Sequence, residues 1–173
     1  NAIIIAMELN GMLPVQQRPE FTTGYEGFFH VVGINGAVEQ ADISYIIRDH
    51  SMEKFEQKKA LMKEVVAFIN AKYGEGTATL DMKDQYYNMR EQVEPHYHII
   101  EKAMKAMEIA GIKPVVQPIR GGTDGARLSF MGLPCPNIFA GGHNFHGKLE
   151  YLPLQSMEKA SEVVLNIISL YAE

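Results

Sequence analysis

The sequence has little cysteine, no long apolar run and no cluster of like charges, and each absence excludes a class of protein. Cys135 is the one cysteine among 173 residues, which excludes an intramolecular disulfide framework and a multi-cysteine zinc site and indicates a reducing, cytoplasmic location. No apolar run reaches the roughly 18 to 20 residues that span a bilayer, and no signal peptide is recognisable. Sixteen basic residues against 21 acidic ones give a net charge of −5. We therefore expect neither a membrane nor a nucleic-acid partner.

Apolar residues are plentiful, at 46% of the chain against 21% charged, so a packed core is expected. The length suits one ordinary domain or two small ones. The chain opens with Asn1 followed directly by an apolar helical stretch. Because chain ends usually begin with a solvated lead-in, this start predicts that the sequence is a piece of a longer protein.

The first half of the sequence alternates between helical and extended patterns. A strand rich in aromatic and β-branched residues precedes Asn35-Gly36, a dipeptide that favours a tight hairpin turn. The order helix, strand, strand, helix, strand predicts an α+β layer, an antiparallel sheet with two helices on one face. The predicted elements are a helix over 1–13, an extended linker over 15–20, strands over 27–34 and 38–48, a helix over 52–73 capped by Ser51, and a third strand over 77–85.

The second half of the sequence alternates helices with short apolar strands, which is typical of an α/β layer. Two strands cannot form a parallel sheet covered on both faces, so this half is expected to be part of a larger domain. The predicted elements are helices over 99–107, 124–131 and 154–172 and strands over 115–119 and 137–140.

The loop Gly141–Glu150 combines two histidines with an acid directly after a predicted strand. A neutral imidazole of His143 or His146 suits a divalent metal, and the Glu150 carboxylate could hold the second ring nitrogen. A glycine-rich polar surface turn explains the same residues, and a closed metal site would need more ligands than this loop supplies.

Two further segments carry polar groups at predicted element ends. In Ile119–Ala126, Arg120 could pair with a carboxylate or phosphate beside free helix N–H groups, although a tight turn with a surface arginine is equally consistent. In Tyr86–Glu91, Asn88 and Arg90 could orient the end of a peptide at the boundary between the two halves, and an exposed hinge is the alternative.

Taken together, six segments resemble peptidase T, a family of bacterial tripeptide aminopeptidases. The family consists of dinuclear zinc exopeptidases related to carboxypeptidase G and the aminoacylases, and the resemblance runs over the whole chain. The segments that carry it are Gly24–Phe28, Tyr45–Asp49, Tyr86–Glu91, Ile119–Ala126, Gly132–Asn137 and Asn144–Lys148.

The resemblance implies a particular domain organisation. Residues 1–90 would be a lid or dimerisation-type α+β domain that lacks its first strand. Residues 91–173 would be the carboxyl-terminal part of an α/β zinc-exopeptidase catalytic domain. The amino-terminal part of the catalytic domain and a second copy bound through the lid are the implied protein partners.

The resemblance also implies roles for individual residues. His146 would be one metal ligand of a site for two zinc ions, while the other ligands and the general base would lie outside this chain, so no catalytic residue is expected within it. Arg120, Asn88 and Arg90 would orient a tripeptide substrate, and the role of His143 stays open. The chain alone is then expected to be inactive. The alternatives are a non-catalytic dimerisation module and an amidohydrolase that acts on acylated amino acids.

Overall fold

The computed structural model describes residues 1–85 and 87–172, which form two compact units. Unit 1 comprises Asn1–Asn88 together with Pro118–Arg120, and unit 2 comprises Met89–Gln117 with Gly121–Glu173. Tyr86, the first residue of the predicted 86–91 motif, and Glu173 lie outside the described residues. The assignment of residues 1–90 and 91–173 to a lid and a catalytic domain stays a prediction.

Unit 1 is built on an antiparallel hairpin flanked by two helices. Phe29, Tyr45 and Ile47 project from one face of the sheet, and Leu13 after the first helix and Met62 of the second pack against that face. Burial of a side chain such as Phe29 or Met62 stabilises the fold by about 1.5–3 kcal/mol. The predicted antiparallel pairing of the first two strands, with two helices packed on one face, is therefore confirmed. Its elements are α1 (Ala2–Met12), β1 (Phe28–Gly36), β2 (Ala41–Arg48) and α2 (Met52–Tyr73).

The hairpin turn lies beyond the predicted dipeptide, so that prediction was wrong. Asn35 and Gly36 belong to β1, where they pair with Asp42 and Ala41, and neither has a positive φ. The ladder has a bulge between Val31 and Gly33, which adds one residue to β1, and the pairing continues as far as Gly36 and Ala41. The turn is 37–40 instead, closed by the Ala37 N–H, which donates to the Gln40 carbonyl over 2.7 Å.

The third strand predicted over 77–85 is absent, and the backbone groups of Ala78 near its start bond to a side chain instead. Ala78 donates its N–H to the Asn70 side-chain oxygen over 2.8 Å, and the Asn70 amide donates back to the Ala78 carbonyl over 2.9 Å. The Asn70 side chain of α2 thus makes the hydrogen bonds to Ala78 that a neighbouring strand would otherwise make. The segment still contributes to the core, since Met82 packs against the buried cluster.

The two ends of α2 follow the predicted chemistry, whereas the linker before β1 does not. The Ser51 hydroxyl accepts the Lys54 N–H over 3.4 Å, and Gly74 ends the helix with φ near 108°, a value that a side chain would strain. The segment predicted as extended over 15–20 forms two short 3₁₀ turns, Val15–Gln17 and Pro19–Phe21. Proline at the start of the second turn supplies the φ that such a turn needs.

Unit 2 is built around two packed helices. Ala106 and Ala110 of one helix segment meet Val163 of the other in a buried cluster, which Phe139 and Ile167 extend. Small residues at the contact allow the backbones to approach closely, and the Asn166 amide donates to the Ala106 carbonyl over 3.2 Å. The helices of unit 2 are α3 (Arg90–Val93), α4 (His98–Ile109), α5 (Asp124–Phe130) and α6 (Leu154–Ala172).

The strands predicted over 115–119 and 137–140 do not form. In the part of the chain that the structure describes, β1 and β2 make the one ladder, and a single bridge pairs His143 with Tyr151. An apolar extended segment becomes a strand when another segment satisfies its backbone groups, and none lies in register beside these two. Within the same described residues, no helix is long and apolar enough to cross a membrane.

Candidate functional site

Arg120 lies in unit 1, where its guanidinium is held by Thr22 and Phe28. Its two terminal nitrogens donate to the carbonyl oxygen and to the hydroxyl of Thr22, each over 2.5 Å. The guanidinium carbon lies 5.0 Å from the centre of the Phe28 ring, a cation–π contact. The remaining nitrogen, Nε, is buried and has no hydrogen-bond partner within the described ranges. Two of the five N–H donors of Arg120 are therefore used, and both donate to uncharged oxygens of Thr22.

His50 connects Arg120 to Asn88. Its Nε2 lies 3.2 Å from the carbonyl oxygen of Ile119, the residue before Arg120, and its Nδ1 lies 3.3 Å from the carbonyl oxygen of Tyr25. The Asn88 amide donates to the His50 carbonyl over 3.2 Å. Two of the three predicted substrate-binding residues are thus joined through one histidine that the sequence analysis did not single out.

A buried ion pair fixes the chain around His50. The Asp49 carboxylate, whose side chain is 2% exposed, lies 2.9 Å from Lys58 Nζ and accepts the Ser51 N–H over 3.0 Å. Both oxygens are satisfied by groups of α2, as a buried carboxylate requires. Ser51 in turn caps α2, so the exit from β2 is held at three successive residues. The polar run Asp49-His50-Ser51 directly after a strand was the signal in the sequence that could have indicated this site.

The segment that leads to Asn88 is attached to α2 by charge. Lys59 Nζ lies 3.0 Å from the Asp84 carboxylate, and the Tyr87 hydroxyl donates to the same carboxylate over 2.9 Å. The hydrogen bond from Lys59 lowers the pKa of Asp84, and the hydrogen bond to Asp84 raises the pKa of Tyr87. The Tyr87 ring also packs edge-on against Phe55. These contacts hold the segment that leads to Asn88 in place, although this segment forms no strand.

Arg90, the third predicted substrate-binding residue, is in unit 2. It is the first residue of α3, its side chain is 72% exposed, and its guanidinium lies 3.7 Å from Glu94 four residues later. The structure therefore brings Arg120 and Asn88 together within unit 1. Arg90 belongs to unit 2.

The loop that carries His146 is shaped by its own backbone. His143 and Tyr151 exchange backbone hydrogen bonds of 2.9 and 3.2 Å, and their rings stack 5.0 Å apart. Between them, Asn144 and His146 adopt positive φ values of 54° and 65°. Such a conformation costs a non-glycine residue about 1–3 kcal/mol and persists where surrounding contacts enforce it. The His143–Tyr151 pair closes the base of the loop and supplies that constraint.

The imidazole of His146 is exposed and, among the described residues, makes no hydrogen bond. Glu150 accepts the backbone N–H of His146 over 3.0 Å, whereas the sequence analysis placed this carboxylate on a ring nitrogen. Glu150 thus shapes the loop and leaves the ring available. An imidazole without a partner fits one ligand position of a zinc ion. Within residues 1–85 and 87–172, however, no group of three or more His, Cys, Asp or Glu is close enough to hold a metal.

The turn between Arg120 and α5 is explained by packing. Thr123 caps α5, and its hydroxyl accepts the Ala126 N–H over 3.3 Å. A Cβ on Gly125 would collide with the Cys135 carbonyl, so this close approach requires glycine. Ser129 is buried and connects the same two segments, donating to Gly125 and accepting the Cys135 N–H. The predicted anion-binding role of this turn stays a prediction.

Comparison with known proteins identifies similarity over the entire chain. Residues 1–77 match the family model of the peptidase dimerisation domain. All 173 residues align with peptidase T of Alkaliphilus oremlandii (strain OhILAs) at 61% identity and with peptidase T of Clostridium novyi (strain NT) at 58%. The chain spans 42% of the length of each of these relatives. The resemblance to peptidase T that the motifs predicted is thereby confirmed.

A solved structure shares the fold. Aminopeptidase PepT from Bacillus cereus ATCC 10987 superposes with a TM-score of 0.63 over 99% of this chain and 45% of its own, at 20% sequence identity. At that level of identity the similarity concerns the fold alone.

Proposed function

We propose that the protein containing this chain is a zinc-dependent aminopeptidase of the peptidase T type, which releases the amino-terminal residue of tripeptides in the cytoplasm. The observation that carries the proposal is the identity of 55% to 61% with peptidase T sequences over essentially the whole chain. Residues 91–173 are then the carboxyl-terminal part of the catalytic domain, and residues 1–90 are the lid.

His146 is the metal ligand that this chain supplies in the proposed enzyme. Its exposed imidazole, held on a backbone of unusual conformation, is consistent with that role. Zinc, when bound, supplies Lewis-acid activation of water. Because one ligand cannot hold two ions, the chain alone is proposed to be inactive.

Arg120 and Asn88 orient the substrate in this proposal. The guanidinium retains donors on its terminal nitrogens beyond the two that Thr22 accepts, so it can bind the peptide carboxylate while it stays attached to unit 1. Asn88, whose amide donates to the His50 carbonyl, is proposed to orient the peptide together with Arg120. Arg90 is proposed to assist from α3, where its guanidinium is mostly exposed.

Substrate profiling of the complete gene product tests the proposal. The purified protein, with its metal content measured, is offered a tripeptide, the corresponding dipeptide and an N-acylated amino acid, and the products are identified by mass. We expect release of the first residue from the tripeptide and loss of this activity with a chelator. Cleavage of the acylated amino acid alone would contradict the proposal and favour the amidohydrolase alternative.

A second candidate function, dimerisation through unit 1, is favoured by the family match over residues 1–77. In the described residues, β1 pairs with β2 and with no other strand, and Val32 and Ile34 near its middle are exposed. An open strand edge with apolar side chains is a surface on which a second copy can add its own strand. We propose a homodimer formed along this edge.

Light scattering of the complete protein tests the dimer. Val32→Lys combined with Ile34→Lys is expected to shift the mass from dimer to monomer, because two charges per copy would face each other across the edge. Ile109→Lys, at an exposed apolar position of α4, is the matched control and should leave the dimer intact. A wild-type protein that is monomeric at micromolar concentration would overturn this candidate.

A further inference from the structure

We propose that a cavity of unit 1 is a binding site for a free apolar amino acid, whose carboxylate pairs with Arg18 and whose side chain enters the apolar part of the cavity. The cavity has a volume of about 380 Å³ and opens to solvent. That volume lies near the lower end of the roughly 300–1,000 Å³ that ligand pockets occupy, so it suits a small molecule. All residues that line the cavity belong to unit 1.

The backbone of Arg18 is fixed by the two 3₁₀ turns between which it lies. Its N–H donates to the Val15 carbonyl over 3.2 Å, and its carbonyl oxygen accepts the Phe21 N–H and the Thr22 hydroxyl, each over 3.0 Å. The half-buried side chain, by contrast, has no hydrogen-bond or ion-pair partner in the portion of the chain that the structure describes. A guanidinium without a counter-ion at a cavity wall suits a carboxylate, because its planar fork of donors matches the two oxygens.

Two further polar groups reach the same cavity from α1 and β2. The Tyr45 hydroxyl donates to the side-chain oxygen of Asn10 over 3.1 Å, and the amide N–H groups of Asn10 have no partner among the residues that the structure describes. Burial raises the pKa of Tyr45, and the positive charge of Arg18 lowers it in part, so the guanidinium acts on this hydroxyl. The donors of Arg18 and Asn10 together make the polar side of the cavity favourable for an anion.

The other side of the cavity is apolar. Leu13 and Phe29, which belong to the core of unit 1, line it together with Pro19 and Val31. An aliphatic group placed against these side chains is removed from water, which favours binding. A carboxylate joined to a short aliphatic chain is therefore the chemistry that this cavity matches.

Glu20 favours an amino acid over a simple carboxylic acid. It lines the cavity two residues after Arg18, it is exposed, and its carboxylate has no ion-pair partner within the described part of the chain. A carboxylate near a guanidinium complements a zwitterion, whose two charged groups are attached to one carbon. Because Glu20 is in contact with solvent, its pairing with the ammonium group contributes less than the pairing of Arg18 with the carboxylate.

Calorimetric titration of the complete protein with leucine tests the site. We expect saturable binding of leucine. Leucinamide lacks the carboxylate and should bind at least about tenfold more weakly, because a charge-assisted pair is lost. Isocaproate keeps the carboxylate and the aliphatic chain, lacks the ammonium group, and should bind about threefold more weakly. Absence of saturable leucine binding, or equal Kd values for leucine and leucinamide, would overturn the proposal.

Three variants locate the bound leucine. Arg18→Gln removes the charge from a side chain without structural partners and should raise the Kd at least about tenfold. Arg127→Gln is the matched control, because it changes an exposed arginine of unit 2 and should leave the Kd unchanged. His146→Ala, which removes the proposed metal ligand, should also leave it unchanged. Leucine binding that is lost in His146→Ala and kept in Arg18→Gln would place the ligand at the metal and overturn the proposal.

Val31→Phe tests the cavity without a change of charge. Val31 lines the cavity and is 39% exposed, so a larger side chain there should occupy part of the volume and raise the Kd for leucine. Circular dichroism checks that each variant keeps its fold. Wild-type leucine affinity in both Arg18→Gln and Val31→Phe would contradict the assignment. Cleavage of tripeptides does not enter these measurements, so their outcome is independent of the proposed function.

Discussion

The Arg120 cluster of unit 1 and the His146 loop of unit 2 use polar residues in opposite ways. Around Arg120, the side chains of Arg120, His50 and Asn88 bind backbone carbonyls and thereby hold separate segments together. In the His146 loop, the backbone makes the hydrogen bonds and the imidazole is left exposed. A side chain that serves structure directs donors to neighbouring segments of the chain, whereas one left to a ligand needs its position fixed by other groups.

This difference separates stability from activity in a way that mutations can test. Substitutions in the Arg120 cluster remove hydrogen bonds that the folded state uses, so they should lower the free energy of unfolding. Within the described residues the His146 ring makes no hydrogen bond, so its substitution should spare stability and lower metal binding and the activity that depends on it.

The largest expected effect is that of His146→Ala on metal binding and activity in the complete protein. Groups that merely orient a metal ligand contribute about 10- to 100-fold, so loss of a ligand should lower kcat/KM by at least about 100-fold. The free energy of unfolding without metal should change by less than about 0.5 kcal/mol. Zinc content by mass spectrometry and urea unfolding measure the two quantities.

His143→Ala is the matched control for the loop, because it removes a neighbouring histidine whose ring stacks on Tyr151. It should retain zinc while weakening the closure of the loop. Full zinc content and activity in His146→Ala would show that the imidazole is not a ligand.

The next effect is that of Thr22→Val on stability. This change removes the buried hydroxyl that accepts from Arg120 and leaves a charged donor without its partner, which should cost about 1–3 kcal/mol in the free energy of unfolding. Thr22→Ser keeps the hydroxyl and should lose clearly less. A larger loss in Thr22→Ser than in Thr22→Val would mean that the methyl group, and not the hydrogen bond, supports the cluster.

A smaller effect is expected for Asp84→Asn, and it should depend on pH. Lys59 lowers the pKa of Asp84, so the folded state favours the charged carboxylate. Its contribution is present above the pKa of an unfolded aspartate, about 3.9, and is lost as the pH falls through the lower folded-state value. Asp84→Asn should therefore be less stable than the wild type at pH 7, and the difference should shrink toward pH 3.

Asp81→Asn is the control for this titration, because Asp81 pairs with Lys83 while both side chains are about four-fifths exposed. Its stability should differ little from that of the wild type at either pH. A difference between Asp84→Asn and the wild type that is the same at pH 7 and pH 3 would contradict the role of the Lys59 pair.

The smallest effect is expected for Glu150→Gln, which keeps an oxygen that can accept the His146 N–H but removes the charge. A neutral acceptor in place of a charged one on an exposed backbone group should cost no more than about 0.5 kcal/mol. Activity should stay within about threefold. A loss close to that of His146→Ala would indicate that Glu150 contacts the metal or its ligand directly.

The local elements were predictable where a short-range pattern decides them. The Ser51 cap, the Gly74 helix end and the alternation along β2 depend on residues within a few positions of one another. The missing strand over 77–85 was not predictable in this way, because the Asn70 side chain, brought close by the turn after α2, took the hydrogen bonds of Ala78.

The residues of the candidate site also fall into two groups, those that a sequence motif identified and those that only the structure identified. Arg120, Asn88, Arg90 and His146 were identified by resemblance of their motifs to peptidase T, which depends on residue order alone. The sequence analysis missed His50 and Thr22 because neither lies in a motif that residue order alone links to Arg120. Their importance arises from contacts across 69 and 98 residues of sequence.

By its composition and residue order, the sequence determined the absence of a disulfide framework, the amphipathic helices, the hairpin and the similarity to peptidase T. Tertiary structure alone decided which donors are occupied and which are available, because a hydrogen bond between distant residues exists only when packing has brought its two atoms within about 3 Å. The imidazole of His146 is therefore exposed while that of His50 lies between two carbonyls, although both are histidines that begin as equivalent side chains in the unfolded chain.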